Sequence, residues 1–182
     1  MLSYKGFAPG LVCRGYQFVM GLNITDKANC RSNGFHSAEN PLVCLSYYPH
    51  IHEAEYYVVD SGGDIDETGD DSIISCTELT IIKRLTLEDF FLHALAYMVD
   101  HPRMPDRSHV DSDNAVASNG YAVVRGIDPA ACGAKGDILA FAKESSDGTK
   151  IQQVSLAWID GDKIKPGKWY GADLVERKKS VL

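Results

Sequence analysis

The 182-residue sequence predicts an α+β protein. An N-terminal mixed α/β domain is expected over residues 1–100, a linker over 101–112, and a small β-solenoid-like part closed by a hairpin over 113–182. Three observations carry that expectation. Strand-like and helix-like apolar runs alternate as far as residue 100, Pro, Arg, Asp and Ser dominate from His101 to Ser112, and small residues then recur between Gly and Asn.

The first strand is expected over Leu11–Met20, where LVCRGYQFVM is apolar and aromatic apart from Arg14 and Gly15. A Gly inside a strand often marks a close approach to the backbone. Gly21 to Asn33 is polar and turn-rich and reads as a hairpin or loop. Asn40 before Pro41, with Leu42, Val43, Leu45 and Tyr48 at helical spacing, predicts a short helix that Pro49 ends.

Glu55–Val59 reads as a strand, GGDIDETGDD after it as an acidic loop, and Ser72–Lys83 as a second apolar strand. Thr86, with Glu88 and Asp89 behind it, caps a helix that stops before Pro102. His93 sits within that helix, on its surface or satisfied in the core. Beyond the linker, Ala115, Ala122, Ala130 and Ile138 start short rungs spaced near seven or eight residues, the texture of a β-solenoid. A closing hairpin is expected from strands around Val154–Ile159 and Lys163–Tyr170, joined at Asp160–Gly161.

Composition bounds the function. Hydrophobic residues make up 45% and charged residues 24%, the balance of a chain with a packed core. The formal charge of −7 disfavours generic binding to nucleic acid or to an anionic membrane. No apolar run approaches the length of a signal peptide or membrane span, so the expected location is the host-cell cytoplasm. The five cysteines, Cys13, Cys30, Cys44, Cys76 and Cys132, show no paired spacing and read as free thiols. No metal is expected, although His50, His52 and Glu53 stand close together in sequence.

The motifs YKGF, CRGYQF, GFHSAENPL followed by a Tyr pair, and GDDS before an apolar strand resemble an uncharacterised family carried by phages and prophages. In that family AVASNGY and GAKGDILAFAK match a rung pattern repeated before a closing WY hairpin. The resemblance implies a mobile-element origin and no assigned chemistry.

Over residues 11–85 the sequence is also similar, more distantly, to ADP-ribosyltransferases of the poly(ADP-ribose) polymerase and diphtheria-toxin type. The offset of thirteen residues from Gly34 to Tyr47 is that family's offset. The resemblance implies NAD as cofactor, with Arg14–Gly15 in place of the His-Gly that holds nicotinamide and ribose. Gly15 would contact nicotinamide through its backbone and Tyr47 would stack on the ring. His36 falls where the family has a Tyr, with Ser37 and Ala38 on the same turn, and Asp71 stands where the family has its catalytic glutamate.

Cleavage of the nicotinamide–ribose bond builds positive charge on the sugar, which a carboxylate stabilises. Aspartate is one methylene shorter than glutamate, and Arg14 in place of His is a second departure. Three functions follow as expectations. The first is an accessory protein that modifies a host target with NAD, Asp71 and Arg14 being catalytic and Gly15, His36, Ser37 and Tyr47 holding the cofactor. The second is a non-catalytic counter-defence binder of a host protein, such as a CRISPR effector, or of a nucleotide signal. The third is structural, the C-terminal β part forming a homo-oligomer.

Overall fold

The computed structural model describes residues 1–29, 32–67, 72–104 and 108–178, and these divide into two compact units, Met1–Phe90 and Phe91–Leu182. Strands hold 51% of the chain and helices 12%. The expectation of a mixed α/β N-terminal domain is therefore overturned: that unit is built of β-strands.

In the first unit the strands are β1 (Leu2–Phe7), β2 (Val12–Cys13), β3 (Tyr16–Gln17), β4 (Gly21–Ile24), β5 (Phe35–Ala38), β6 (Glu55–Glu67) and β7 (Ile73–Leu85). All their pairings are antiparallel, in the order β4-β7-β5-β1-β6. A further pairing joins β6 back to β7, so β7, β5, β1 and β6 close into a small barrel with β4 added at the edge of β7. Phe7, Phe18, Phe35, Tyr57, Val59, Cys76, Leu79 and Ile81 form a core cluster in this unit.

Three local readings change, each for a physical reason. Leu11–Met20 is not one strand but the hairpin β2–β3, because Arg14 and Gly15 take φ of 49° and 79° and make a two-residue turn between the paired Cys13 and Tyr16. Positive φ at both central positions matches the right-handed twist of the flanking strands. The helix after Asn40 is a single 3-10 stretch, Pro41–Ser46. Its cap is the expected one, the Asn40 side chain accepting from the Leu42 N–H at 3.1 Å. The acidic segment expected as a loop continues β6 to Glu67, its backbone paired with β7 through Ile65–Cys76 and Glu67–Ile74 across a bulge.

The helix after Thr86 forms as expected. This helix, α1, spans Leu87–Asp100, and the Thr86 hydroxyl accepts from the Asp89 N–H at 3.0 Å. His93 is half-buried on it.

The second unit holds β8 (Asp111–Val116), β9 (Tyr121–Cys132), β10 (Ile138–Glu144), β11 (Ile151–Trp158), β12 (Trp169–Gly171) and β13 (Glu176–Arg177). Strands β8 and β10 both pair in parallel with β9. Val116 faces Cys132 and Tyr121 faces Ile138, so successive strands repeat after sixteen or seventeen residues, not seven or eight. The alanines act as space-savers inside this stack: Ala115, Ala122 and Ala131 pack with Val124, Leu139 and Phe141.

The hairpin expected at Asp160–Gly161 does not form. Strand β11 pairs with β10 and β12 pairs with β9, each closing a different side of the sheet. Asp160 instead folds a local turn, its carboxylate accepting from the N–H groups of Asp162 and Ile164. Among the described residues no helix is long and apolar enough to cross a membrane.

Candidate functional site

Alternation along β1 divides the barrel's contents. Ser3, Lys5 and Phe7 are all buried, and they meet three different environments. Ser3 joins Ser37 and Ser61 in a closed triangle of hydroxyls with sides of 3.0, 3.0 and 2.8 Å. Phe7 meets Phe18 and Tyr57 edge-on, at 5.2 and 5.5 Å between ring centres. Lys5 lies between the two groups. It is 6% exposed and donates from Nζ to the His36 carbonyl oxygen at 2.5 Å. The same nitrogen stands 5.4 Å from the ring centres of both Phe7 and Phe18.

Lys5 reaches the wall of a cleft of about 940 Å³. The cleft is lined by the tip of the β2–β3 hairpin, by Tyr4–Gly6 of β1, by β5 and by the 3-10 turn. Arg14 and His36 share this wall with Lys5, and Tyr16, Tyr47 and Tyr48 supply aromatic rings. No Asp or Glu is present among the described lining residues, although the chain as a whole carries a charge of −7. Its chemistry is therefore cationic and aromatic, the reverse of the surface average. No group of three His, Cys, Asp or Glu among the described residues is arranged to hold a metal ion, and Cys13, Cys44, Cys76 and Cys132 are free thiols.

Burial and like charge set the protonation of this wall. Burial pushes the Lys5 amine below its ordinary value; the thiols of Cys13, Cys44 and Cys76 oppose that shift, and Arg14 adds to it by the smallest amount. His36 is lowered first by burial and then by Lys5 and Arg14, so its imidazole favours the neutral form. Burial pushes the Cys44 thiol up to about 12, which leaves it protonated and inert. The Tyr48 hydroxyl is raised by burial and by its hydrogen bond with Cys13.

The residues expected from sequence fall into three groups. Arg14, His36, Ser37 and Tyr47 all line the cleft. Tyr47, which follows the 3-10 turn, is 54% exposed, so its ring is a surface at the cleft rather than a core plug. Ser37 contributes to the wall, but its hydroxyl is committed to Ser3 and Ser61. Gly15 occupies the hairpin tip, where a Cβ would meet nothing within 4 Å. Asp71 and its neighbour Asp70 lie outside the described residues.

Lys5 was not among the expected site residues. The available signal is a lysine at an inward position of an otherwise apolar and small-residue strand, LSYKGF, which needs the strand's register before it can be read.

Residues 1–93 match the family model described as a domain of unknown function, DUF7666. No curated protein and no solved structure matches the chain.

Proposed function

We propose, from the premise that the chain belongs to the DUF7666 family, that its N-terminal cleft holds a nucleotide-class ligand, NAD or a nucleotide signal, as a binding protein of phage or prophage origin. The observation that carries this reading is the wall itself: Arg14 with His36 and Lys5, aromatic rings at Tyr16 and Tyr47, and no described carboxylate. Arginine takes phosphate oxygens in a fork and exposed aromatic rings stack on bases, so this pairing suits a phosphorylated aromatic compound. A site for oxocarbenium chemistry needs a carboxylate near the sugar, and the described lining residues supply none. Sequestration of the ligand, with a host protein or host signal as the target, is the reading these side chains favour over transfer of ADP-ribose.

Calorimetry with NAD, ADP-ribose and cyclic dinucleotides, together with an assay of nicotinamide release, tests it. Binding without release is expected, and Arg14→Ala should weaken it by about 10–100-fold, the worth of one charged hydrogen-bonding group. Release that disappears in Asp71→Ala would replace the binder reading by the transferase one. Absence of binding to every nucleotide would retire both.

A further inference from the structure

We infer that Lys5 is a reactive amine that captures a small carbonyl compound bearing an anionic group, forming an imine within the N-terminal cleft. The inference shares the cleft with the nucleotide reading but does not rest on it, because its outcome is a covalent adduct.

The geometry that points there is unusual for a lysine. The side chain is 6% exposed, lies on the cleft wall and has, among the described residues, one hydrogen-bond acceptor, the His36 carbonyl oxygen. Among the described residues no carboxylate pairs with it; the rings of Phe7 and Phe18 stand 5.4 Å from Nζ, and the thiols of Cys13, Cys44 and Cys76 lie close enough to act on it. An ammonium ion has three N–H groups to satisfy, and this site accepts one. Buried lysines are normally paired, so a lysine held out of water with no carboxylate partner among the described residues favours the neutral amine. Desolvation in an apolar pocket is one way in which a lysine is activated as a nucleophile.

The neighbours supply the remaining parts. Arg14, on the same wall, offers a fork for a carboxylate or phosphate on the ligand and brings its carbonyl carbon toward the amine. His36, whose imidazole favours the neutral form, can carry protons during the exchange. The nitrogen lone pair adds to the carbonyl carbon while the carbonyl oxygen takes up a proton that the nitrogen releases. The carbinolamine then loses that oxygen as water together with the second N–H proton, leaving a carbon–nitrogen double bond. No electrons are gained or lost, and no further reactant is consumed.

The probe is pyridoxal 5′-phosphate, an aromatic aldehyde with a phosphate, added to the whole chain near neutral pH and fixed with borohydride. Peptide mapping then reports modification at each lysine. A lowered pKa raises an amine's free-base fraction at neutral pH, so Lys5 should be the fastest-modified lysine of the chain, ahead of the exposed ones. Inorganic pyrophosphate should protect it, and Lys5→Met should lose the fast adduct while keeping the slow ones. Modification spread over the exposed lysines with Lys5 untouched overturns the inference, and this reading comes from the wild-type chain even where the variant folds poorly. Failure of the nucleotide reading is seen separately, as absence of reversible binding by compounds that carry no aldehyde.

Discussion

Gly6 lies directly beneath the ring of Tyr48: a Cβ at Gly6 would stand 2.7 Å from Tyr48 Cδ2 and 3.3 Å from Cγ. Tyr48 is held there from below as well, its carbonyl oxygen accepting from the Tyr56 hydroxyl at 2.6 Å. Gly6 and Tyr56 are partners across β1 and β6, so the barrel and the 3-10 turn are joined at this point. A methyl group here has no space unless Tyr48 moves. Gly6→Ala should cost about 1–3 kcal/mol by overpacking and weaken any cleft ligand, because Tyr48 lines the cleft. Denaturant unfolding of the variant measures the first effect, and a loss below about 0.5 kcal/mol would mean that the turn yields freely.

Lys5 makes the opposite prediction, a gain of stability on removal. Its folded-state pKa is lowered, so between that value and the ordinary one near 10.5 the unfolded chain holds the extra proton. Stability therefore rises with pH across that window, and below it the full cost of the buried cation applies. Lys5→Met should raise stability by about 1–2 kcal/mol at neutral pH, a gain that fades as the pH approaches the upper limit. Urea midpoints at several pH values test this. A variant equally weakened at every pH would make Lys5 a structural residue rather than one retained at a cost to the fold.

Ser37 separates wall from hydroxyl. Since its Oγ belongs to the triangle with Ser3 and Ser61, Ser37→Ala should reduce stability by about 0.5–1.5 kcal/mol and leave nucleotide affinity unchanged. Parallel calorimetry and thermal unfolding would show the split. A fall in affinity without a fall in stability would return the hydroxyl to the ligand.

In the second unit Arg125 is the buried polar centre. Its Nε donates to Glu144 Oε1 at 2.5 Å and its Nη2 to the Pro102 carbonyl oxygen at 2.5 Å, with 3% and 13% of the two side chains exposed. Removing the carboxylate leaves a buried guanidinium short of a partner, so Glu144→Ala should cost about 3–5 kcal/mol. Replacing both members by apolar residues of similar size should recover most of that. Equal losses in the single and double variants would show that Arg125 contributes through packing alone.

How much of this could be read from the sequence depended on the range of the interaction that decides each element. The cap at Thr86 and the cap at Asn40 are local, and both formed where the residues indicated. The Arg14–Gly15 turn was equally local, but the aromatic run around it suggested one long strand and hid the hairpin. The extension of β6 into an acidic segment is decided by β7, seven residues and more away, whose ladder groups outweigh the poor strand propensity of Gly and Asp. The partners of β11 and β12 are likewise set by strands distant in sequence. At the cleft, Arg14, His36 and Tyr47 carried a motif and could be singled out, whereas Lys5 acquires its meaning from a ring of its own strand and from a ring and a carbonyl supplied by two other segments.

Asp147 gives an acid-side prediction of known sign. Its carboxylate accepts from the Ser145 hydroxyl, the Thr149 hydroxyl and the Thr149 N–H, closing the turn between β10 and β11. The Ser145 hydrogen bond contributes most to holding its pKa down at about 2, against an ordinary value of 3.8. A carboxyl lowered in this way stabilises the turn above the ordinary value, and that contribution is lost as the pH falls through the window toward about 2. Amide exchange at Lys150, whose N–H donates to the Ser145 hydroxyl, reads the turn directly. Protection there should fall across that window in the wild type after correction for intrinsic exchange rates. In Asp147→Ala it should already be low at neutral pH and flat toward acid. A turn that keeps its protection in the variant would mean that the β10–β11 ladder alone sets its closure, with the carboxylate as a bystander.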